Sequence, residues 1–150
     1  WYFVTICTKN RIPWFGNVRN GVMGLSDIGC VVADMWQRIP CVYPHVGSDA
    51  WIVMPDHVHG IVRIDDRHRG VVETAQCAVS TRVATLIPLP CFRSGSLGAI
   101  VGRFKCACTR HIRSMGHHEF AWQPRFYESI LRTPDPIFRV RQYIRQNPLC

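Results

Sequence analysis

The sequence predicts an α+β fold of the ferredoxin-like sandwich kind, in which helices pack on a mostly antiparallel sheet. Short runs alternate apolar and polar residues, whereas three longer segments repeat apolar residues at helical spacing. These runs follow one another as strand, helix, strand, strand, helix, strand, helix. With 150 residues, 47% of them hydrophobic, the chain is long enough to bury the core of one domain.

The chain begins with a predicted strand followed by a loop and a helix. Residues 1–8 alternate aromatic and β-branched side chains, as strands do. Residues 9–24 are rich in Gly, Asn and Arg, which predicts a loop. Ser26 is a candidate N-cap, and apolar residues at helical spacing predict a first helix over residues 27–39, ended by Pro40.

A β-hairpin is predicted at the centre of the chain. Two apolar runs, 50–54 and 58–64, flank a Pro55-Asp56 turn, which would join them as an antiparallel pair. Residues 65–93 are irregular: a charged part is followed by a part rich in Val and Thr and then by two prolines. We interpret 65–93 as a variable insertion or loop rather than a second domain.

The last third predicts a helix, a short strand and a final helix. Ser96 is a candidate N-cap for a helix over residues 97–115 with a basic outer face. Residues 125–131 form the predicted strand. Asp135 as N-cap, with Pro136 at the first helical position, predicts a last helix that Pro148 ends.

The chain is strongly basic, with a formal net charge of +8. Basic domains often bind polyanions, and Arg side chains suit bidentate phosphate contacts. An ordinary solvated basic surface is the equal alternative. If DNA is bound, the candidate contacts are Arg103, Lys105, Arg110 and Arg125.

No membrane association is expected from the sequence. There is no run of about 18 consecutive apolar residues, as a membrane-spanning helix would need. The first residues also lack the basic start and cleavage site of a signal peptide. We therefore expect a cytoplasmic protein.

His57 and His59 form a candidate chelating pair. Alternate residues of a strand point to the same face, so both imidazoles would lie on one face and could bind one divalent cation. Val58, Gly60 and Val62 would then face the core. Two solvated surface histidines are the alternative, and that alternative is favoured when an HxH pair stands alone.

The last helix adds two residues to this hypothesis. Tyr143 and Asn147 are four residues apart and share a helix face. If that face meets the histidine strand, an Asn147 oxygen would join the imidazoles, and such mixed ligands suit Mg²⁺ or Mn²⁺ bound to a phosphate. Tyr143 would be the nucleophile. The alternatives are a tyrosine that flanks the core and a last turn distorted by Pro148.

Five blocks together resemble the REP-associated tyrosine transposases, within the HUH (His-hydrophobe-His) single-tyrosine transposases of bacterial insertion sequences. In chain order they are WYFVTICTKNRIPWFG, AWIVMPDHVHGIV, SLGAIVGRFKCACTRHI, WQPRFYESILR and YIRQNP. The resemblance covers almost the whole chain. It implies one HUH nuclease domain over residues 1–150, shortened at both ends.

The resemblance also implies a function. It is that of a metal-dependent endonuclease and strand transferase acting on single-stranded DNA, usually at hairpin-forming repeats, in the bacterial cytoplasm. His57 and His59 would be the metal ligands and Asn147 the third ligand. Tyr143 would form a 5′-phosphotyrosine and leave a free 3′-OH. Monomer and homodimer both stay open.

Three alternatives accompany this hypothesis. The protein could be an inactive relative that binds DNA hairpins without cutting them. It could be a metal hydrolase of a small molecule, which the charge of +8 disfavours. Tyr127 could replace Tyr143 as the nucleophile, because it lies in the matching WQPRFYE block.

Overall fold

A computed structural model describes residues 1–65 and 95–149. The predicted insertion at 65–93 therefore lies outside the described residues, apart from its first residue. In chain order the elements are β1 Tyr2–Cys7, a 3-10 turn Lys9–Arg11, β2 Gly16–Arg19, β3 Val22–Leu25, α1 Asp27–Gln37, α2 Ile39–Val42, β4 Val46–Met54, β5 His57–Ile64, α3 Leu97–Ser114, β6 Tyr127–Ile130, α4 Pro134–Gln146 and a 3-10 turn Asn147–Leu149.

Four strands form one antiparallel sheet in the order β4-β5-β1-β6. Together with α1 and α3, these strands follow the chain order β-α-β-β-α-β of ferredoxin-like folds. The predicted α+β fold with a mostly antiparallel sheet is confirmed. None of the described helices is long and apolar enough to cross a membrane.

The two faces of the sheet carry different clusters. Helices α1 and α3 cover one face, where β5 buries Val58 and Val62, and the main core includes Trp36. Helix α4 lies on the other face over a smaller cluster formed by Ile61, Leu131 and Ile144. Because β5 side chains alternate between faces, its two histidines point toward α4 rather than into the main core.

The prediction of a loop over residues 9–24 is wrong for residues 16–24. Strands β2 and β3 form a separate hairpin there, and Asn20-Gly21 makes the turn between them. Both turn residues have positive φ, at 51° and 73°. An Asn-Gly pair favours a two-residue hairpin turn of this kind, so the sequence did carry the signal.

Two predicted helix boundaries also need correction. Pro40 does not end the helical region, because it lies in the first turn of the short helix α2. Helix α4 begins at Pro134 after the N-cap Thr133, so Asp135 is in its first turn rather than at its cap. Proline is tolerated in a first turn because its missing N–H would have no partner there. The N-cap role of Ser26 and Ser96 is confirmed.

Gly60 provides a stability test of the main core. A Cβ at this position would clash with the indole of Trp36. The indole cannot easily move away, because Trp36 is 1% exposed, donates a hydrogen bond to the Ser48 hydroxyl and packs edge-on against Phe104. Gly60→Ala should therefore lower the free energy of unfolding by about 1–3 kcal/mol in denaturant titrations. Gly102 is an exposed residue of α3 with open space around its Cα. Gly102→Ala should therefore raise the free energy of unfolding by up to about 1 kcal/mol. Equal effects of the two changes would contradict this packing.

Candidate functional site

His57 and His59 converge on one point on the α4 face of the sheet. Their Nε2 atoms are 3.0 Å apart, and the ring centroids are 4.5 Å apart. Two nitrogens at this distance need a proton or a cation between them, because their lone pairs would otherwise repel each other.

The other ring nitrogen of each histidine is held by an outer partner. His57 Nδ1 lies 2.6 Å from Asp56 Oδ1, and Arg11 Nε is 2.7 Å from the second oxygen of that carboxylate. His59 Nδ1 lies 2.8 Å from the Thr5 hydroxyl on the neighbouring strand β1. Partners of this kind fix the orientation of a metal-binding imidazole and leave its Nε2 lone pair available.

His59 is a buried polar residue, 5% exposed, stacked on the ring of Phe3 at 5.4 Å between centroids. Burial lowers the pKa of His59 to about 4, and the positive charges of His57 and Arg11 act in the same direction. At neutral pH the His59 imidazole is therefore uncharged, which is the form that binds metal ions.

The 3.0 Å between the two Nε2 atoms would let both nitrogens bind one cation. Two ligands at right angles with bonds of about 2.1 Å stand about 3.0 Å apart, and tetrahedral ligands at similar bond lengths stand about 3.3 Å apart. Both geometries are close to the observed spacing. Within residues 1–65 and 95–149, no group of three or more His, Cys, Asp or Glu side chains could hold a metal ion. Further coordination positions are left to amide, water or substrate oxygens.

Tyr143 on α4 reaches the same point. Its hydroxyl lies 3.4 Å from His59 Nε2, and the two ring centroids are 5.3 Å apart. Phe3 packs edge-on against the tyrosine ring. Tyr143 is 48% exposed, so a substrate can reach the residue from solvent while its ring contacts Phe3 on the sheet.

Asn147 lies one helical turn after Tyr143. Its backbone is helical, with φ −53° and ψ −38°, but the α-helix ends at Gln146 and Asn147 begins a 3-10 turn, so the predicted distortion of the last turn takes the form of a change in helix type. The steric bias against helical conformation before proline is a preference, and Asn147 is only 8% exposed, so packing holds it. Within the described ranges no hydrogen bond joins Asn147 to the imidazoles, and its place as a ligand stays a prediction.

The rival tyrosine, Tyr127, is placed differently. It pairs with Thr5 across β1 and β6, so it lies on the same face of the sheet as the histidines. It is 64% exposed, and among the described residues it makes no ring contact or hydrogen bond with His57 or His59. Tyr143 is thus the tyrosine that the structure brings to the histidine pair.

Two of the four predicted DNA contacts are engaged within the fold. The guanidinium of Arg103 lies over the ring of Tyr43, 5.7 Å from its centroid. Lys105 Nζ donates to the carbonyl oxygens of Gln123 and Arg125, and burial lowers the pKa of Lys105. We therefore expect Lys105 to hold the segment before β6 rather than to contact a ligand.

Among the described residues, the side chains of the other two cations make no hydrogen bond, ion pair or ring contact; Arg110 is partly buried and Arg125 is exposed. Arg110 lines an open groove of about 580 Å³ between α3 and the segment before β6, together with Arg113 and Trp122. The exposed Arg125 follows that segment. This groove is one basic surface, among the described residues, on which a phosphate could bind.

The sequence predictions do not include the outer partners of the histidines. The Pro55-Asp56 pair predicts only a turn, although an acidic residue beside a candidate metal-binding histidine is a recognisable signal. Thr5 and Arg11 carried no local signal, because their roles depend on how β1 and the turn after it meet β5.

No protein-family model matches the sequence. A protein of Haemophilus influenzae Rd without a characterised function is 35% identical over 149 residues, which are 99% of this chain and 79% of that protein. The chain belongs to the same family as this protein.

Two solved structures show the fold that this family member adopts. One is a REP-associated tyrosine transposase bound to a REP hairpin, with a TM-score of 0.63 and 18% sequence identity. The match covers 99% of this chain and 66% of the transposase chain. The family member thus spans just under two thirds of that transposase. The other is a protein of Deinococcus radiodurans R1 assigned as a candidate transposase, with a TM-score of 0.54, 16% identity and coverage of 95% and 86%. The fold expected from the sequence resemblance is confirmed.

Proposed function

We propose that the protein is a metal-dependent endonuclease and strand transferase of the transposase type, acting on single-stranded DNA through a covalent 5′-phosphotyrosine. The observation that carries this proposal is the Tyr143 hydroxyl, 3.4 Å from Nε2 of His59 at the point where the two imidazoles converge. Tyrosine is among the side chains that form covalent intermediates, so an exposed phenol beside two imidazoles that could hold a cation supports this proposal.

Each residue of the site has a separate role in this proposal. His57 and His59 would hold Mg²⁺ or Mn²⁺, and Asn147 would add an oxygen ligand. When bound, the ion would polarise the phosphate and neutralise the charge that develops on its oxygens. The Tyr143 oxygen would attack phosphorus as the phenol gives its proton to solvent water. The P–O3′ bond would break, and the leaving oxygen would take a proton from solvent water to become a 3′-OH. A 3′-OH can later attack the phosphotyrosine and rejoin DNA without a nucleotide energy source.

Single-stranded DNA with a hairpin is the proposed partner. One structural relative was solved bound to a REP hairpin, and the groove at Arg110 and Arg113 offers positive charge. Because Tyr143 and His59 meet within one chain, the site does not require a homodimer. A DNA substrate is consistent with a cytoplasmic location in a bacterium and with no membrane partner.

Arg110 gives a test of the DNA surface. Removing one phosphate contact should lower the slope of log affinity against log salt by about 0.7–1, because one counterion fewer is released. We expect this for Arg110→Gln in titrations of a hairpin oligonucleotide at several salt concentrations. Arg19→Gln, on the exposed β2–β3 hairpin, removes the same charge away from the groove and should leave the slope unchanged. An unchanged slope for Arg110→Gln would exclude it as a phosphate contact.

A variant of Thr5 tests the outer partners of the histidine pair. Thr5→Val keeps the shape of the side chain and removes the hydroxyl that holds His59 Nδ1. Loss of such a partner should weaken Mn²⁺ binding by about 10- to 100-fold in isothermal titrations. Thr109→Val is the control, because it removes a hydroxyl that donates to the Lys105 carbonyl oxygen within α3. Its affinity for Mn²⁺ should be unchanged. Equal Mn²⁺ affinity of both variants would contradict the assignment.

The function itself is tested by incubating the protein with a labelled hairpin oligonucleotide, with and without Mn²⁺. We expect a protein–DNA adduct that survives denaturing electrophoresis only when Mn²⁺ is present. Hairpin binding without cleavage under all metal conditions would instead support the alternative, an inactive DNA-hairpin-binding relative.

A further inference from the structure

Helix α4, which carries Tyr143, has a small apolar contact with the sheet. Within α4, Pro134–Gln146, the one buried residue is Ile144, whereas α3 buries six residues. The cluster beneath α4 contains three buried side chains, Ile61, Leu131 and Ile144, with partly buried neighbours around them. Apolar packing is not directional, so a contact of this size leaves the rotation of α4 weakly defined.

One ion pair adds a directional constraint to this contact. Arg141 Nε lies 3.1 Å and 3.2 Å from the two carboxylate oxygens of Asp49 on β4, and its Nη2 also bonds that carboxylate. The backbone N–H of Ala50 donates to Asp49 Oδ1 at 2.7 Å, and the guanidinium lies over the ring of Trp1. A planar guanidinium held at both oxygens fixes direction as well as distance.

The local backbone of β4 suits this role. The pairing register between β4 and β5 shifts between Ser48 and Trp51, so Asp49 lies in a bulge of the strand. Bulges redirect a side chain that would otherwise follow the alternation of the sheet. The hydrogen bond from Arg141 is the main cause of the lowered pKa of Asp49, so the carboxylate is charged at neutral pH.

The constraint acts on the nucleophile through helix geometry. Residues two apart on a helix point about 200° apart, so Arg141 and Tyr143 project from opposite sides of the buried stripe of Val140 and Ile144. A rotation of α4 by 10° would move a tyrosine hydroxyl, roughly 8–9 Å from the helix axis, by about 1.5 Å. Displacements of about 1 Å can slow a positioned reaction by about 100-fold.

We propose that Asp49 and Arg141 are positioning residues for Tyr143: the pair fixes the rotation of α4 on β4 and thereby holds the phenol beside His59. This inference rests on the proposed function for its catalytic consequence, but the positioning can be measured without catalysis. Neither side chain contacts the histidine pair in the described part of the chain, so the pair acts through Tyr143.

The test compares Arg141→Gln, Asp49→Asn and the double variant with Arg139→Gln, which removes the same charge from an exposed position of the same helix. At saturating hairpin oligonucleotide and Mn²⁺, both single variants should form adduct about 100-fold more slowly in a single turnover. The double variant should be no slower than the singles, because the two residues act as one unit. Oligonucleotide affinity and the Mn²⁺-induced shift in Tm should match those of Arg139→Gln.

A second measurement separates this inference from the proposed function. Proton NMR of the free protein should show cross-peaks between the Tyr143 ring and the rings of Phe3 and His59. They should be weaker in Arg141→Gln and unchanged in Arg139→Gln. Cross-peaks of unchanged intensity in Arg141→Gln, or an adduct rate equal to that of Arg139→Gln, would overturn the positioning role. Absence of adduct in the unaltered protein would overturn the proposed function alone, since the NMR comparison still decides the positioning.

Discussion

Replacing Tyr143 by phenylalanine is expected to lower the rate of covalent adduct formation by about 10³-fold or more. The change removes the single oxygen that would attack the phosphate, and losing a nucleophile typically has an effect of this order or larger. Because Tyr143 is 48% exposed and its ring still packs on Phe3, stability should change by no more than about 0.5 kcal/mol. Adduct is measured by denaturing electrophoresis and stability by thermal unfolding.

The matched control is Tyr127→Phe. Tyr127 lies on the same face of the sheet, two strands from β5, and is also exposed. The Tyr127→Phe variant should form adduct at a rate within about twofold of that of the unaltered protein. Both variants should bind the hairpin oligonucleotide with the affinity of the unaltered protein. Adduct formed by Tyr143→Phe but not by Tyr127→Phe would assign the nucleophile to Tyr127.

The second large effect is expected at the histidine pair. Mn²⁺ at about 100 times its dissociation constant should stabilise the unaltered protein by about 2.7 kcal/mol, because it binds only the folded state. His57→Ala and His59→Ala each remove one of the two nitrogens that stand 3.0 Å apart. Both variants should lose the Mn²⁺-induced shift in Tm, and their adduct formation should fall by about 10³-fold or more.

His118→Ala controls for the loss of a histidine in general, because His118 is exposed in the turn after α3. It should keep the full Mn²⁺ response. His59→Ala should also lower Tm without metal, since His59 is buried against Phe3 and bonded to Thr5. A Mn²⁺ shift retained by both His57→Ala and His59→Ala would place the ion elsewhere.

Local patterns were sufficient to predict much of the fold. The two apolar runs around Pro55-Asp56 gave the β4–β5 hairpin, and strand alternation placed both histidines on one face. The two N-cap serines gave the starts of α1 and α3. These signals are short-range, so they can be seen without knowledge of the partners of each element.

The contacts that complete the site are long-range. Thr5 and His59 are 54 residues apart, and Asp49 and Arg141 are 92 residues apart. Each contact depends on strand register or on the rotation of a helix, which no local pattern specifies. The resemblance to a known family supplied the pairing of Tyr143 with the histidines, whereas Thr5, Arg11 and Asp49 became visible only in the structure.

The central claim is that the Tyr143 hydroxyl attacks a phosphate held at the histidine pair. The most direct test is to form adduct with a labelled hairpin oligonucleotide and Mn²⁺, digest the protein, and identify the DNA-linked residue by mass spectrometry. We predict a nucleotide joined through its 5′-phosphate to Tyr143. A DNA-linked peptide containing Tyr127 or any residue other than Tyr143 would contradict the claim.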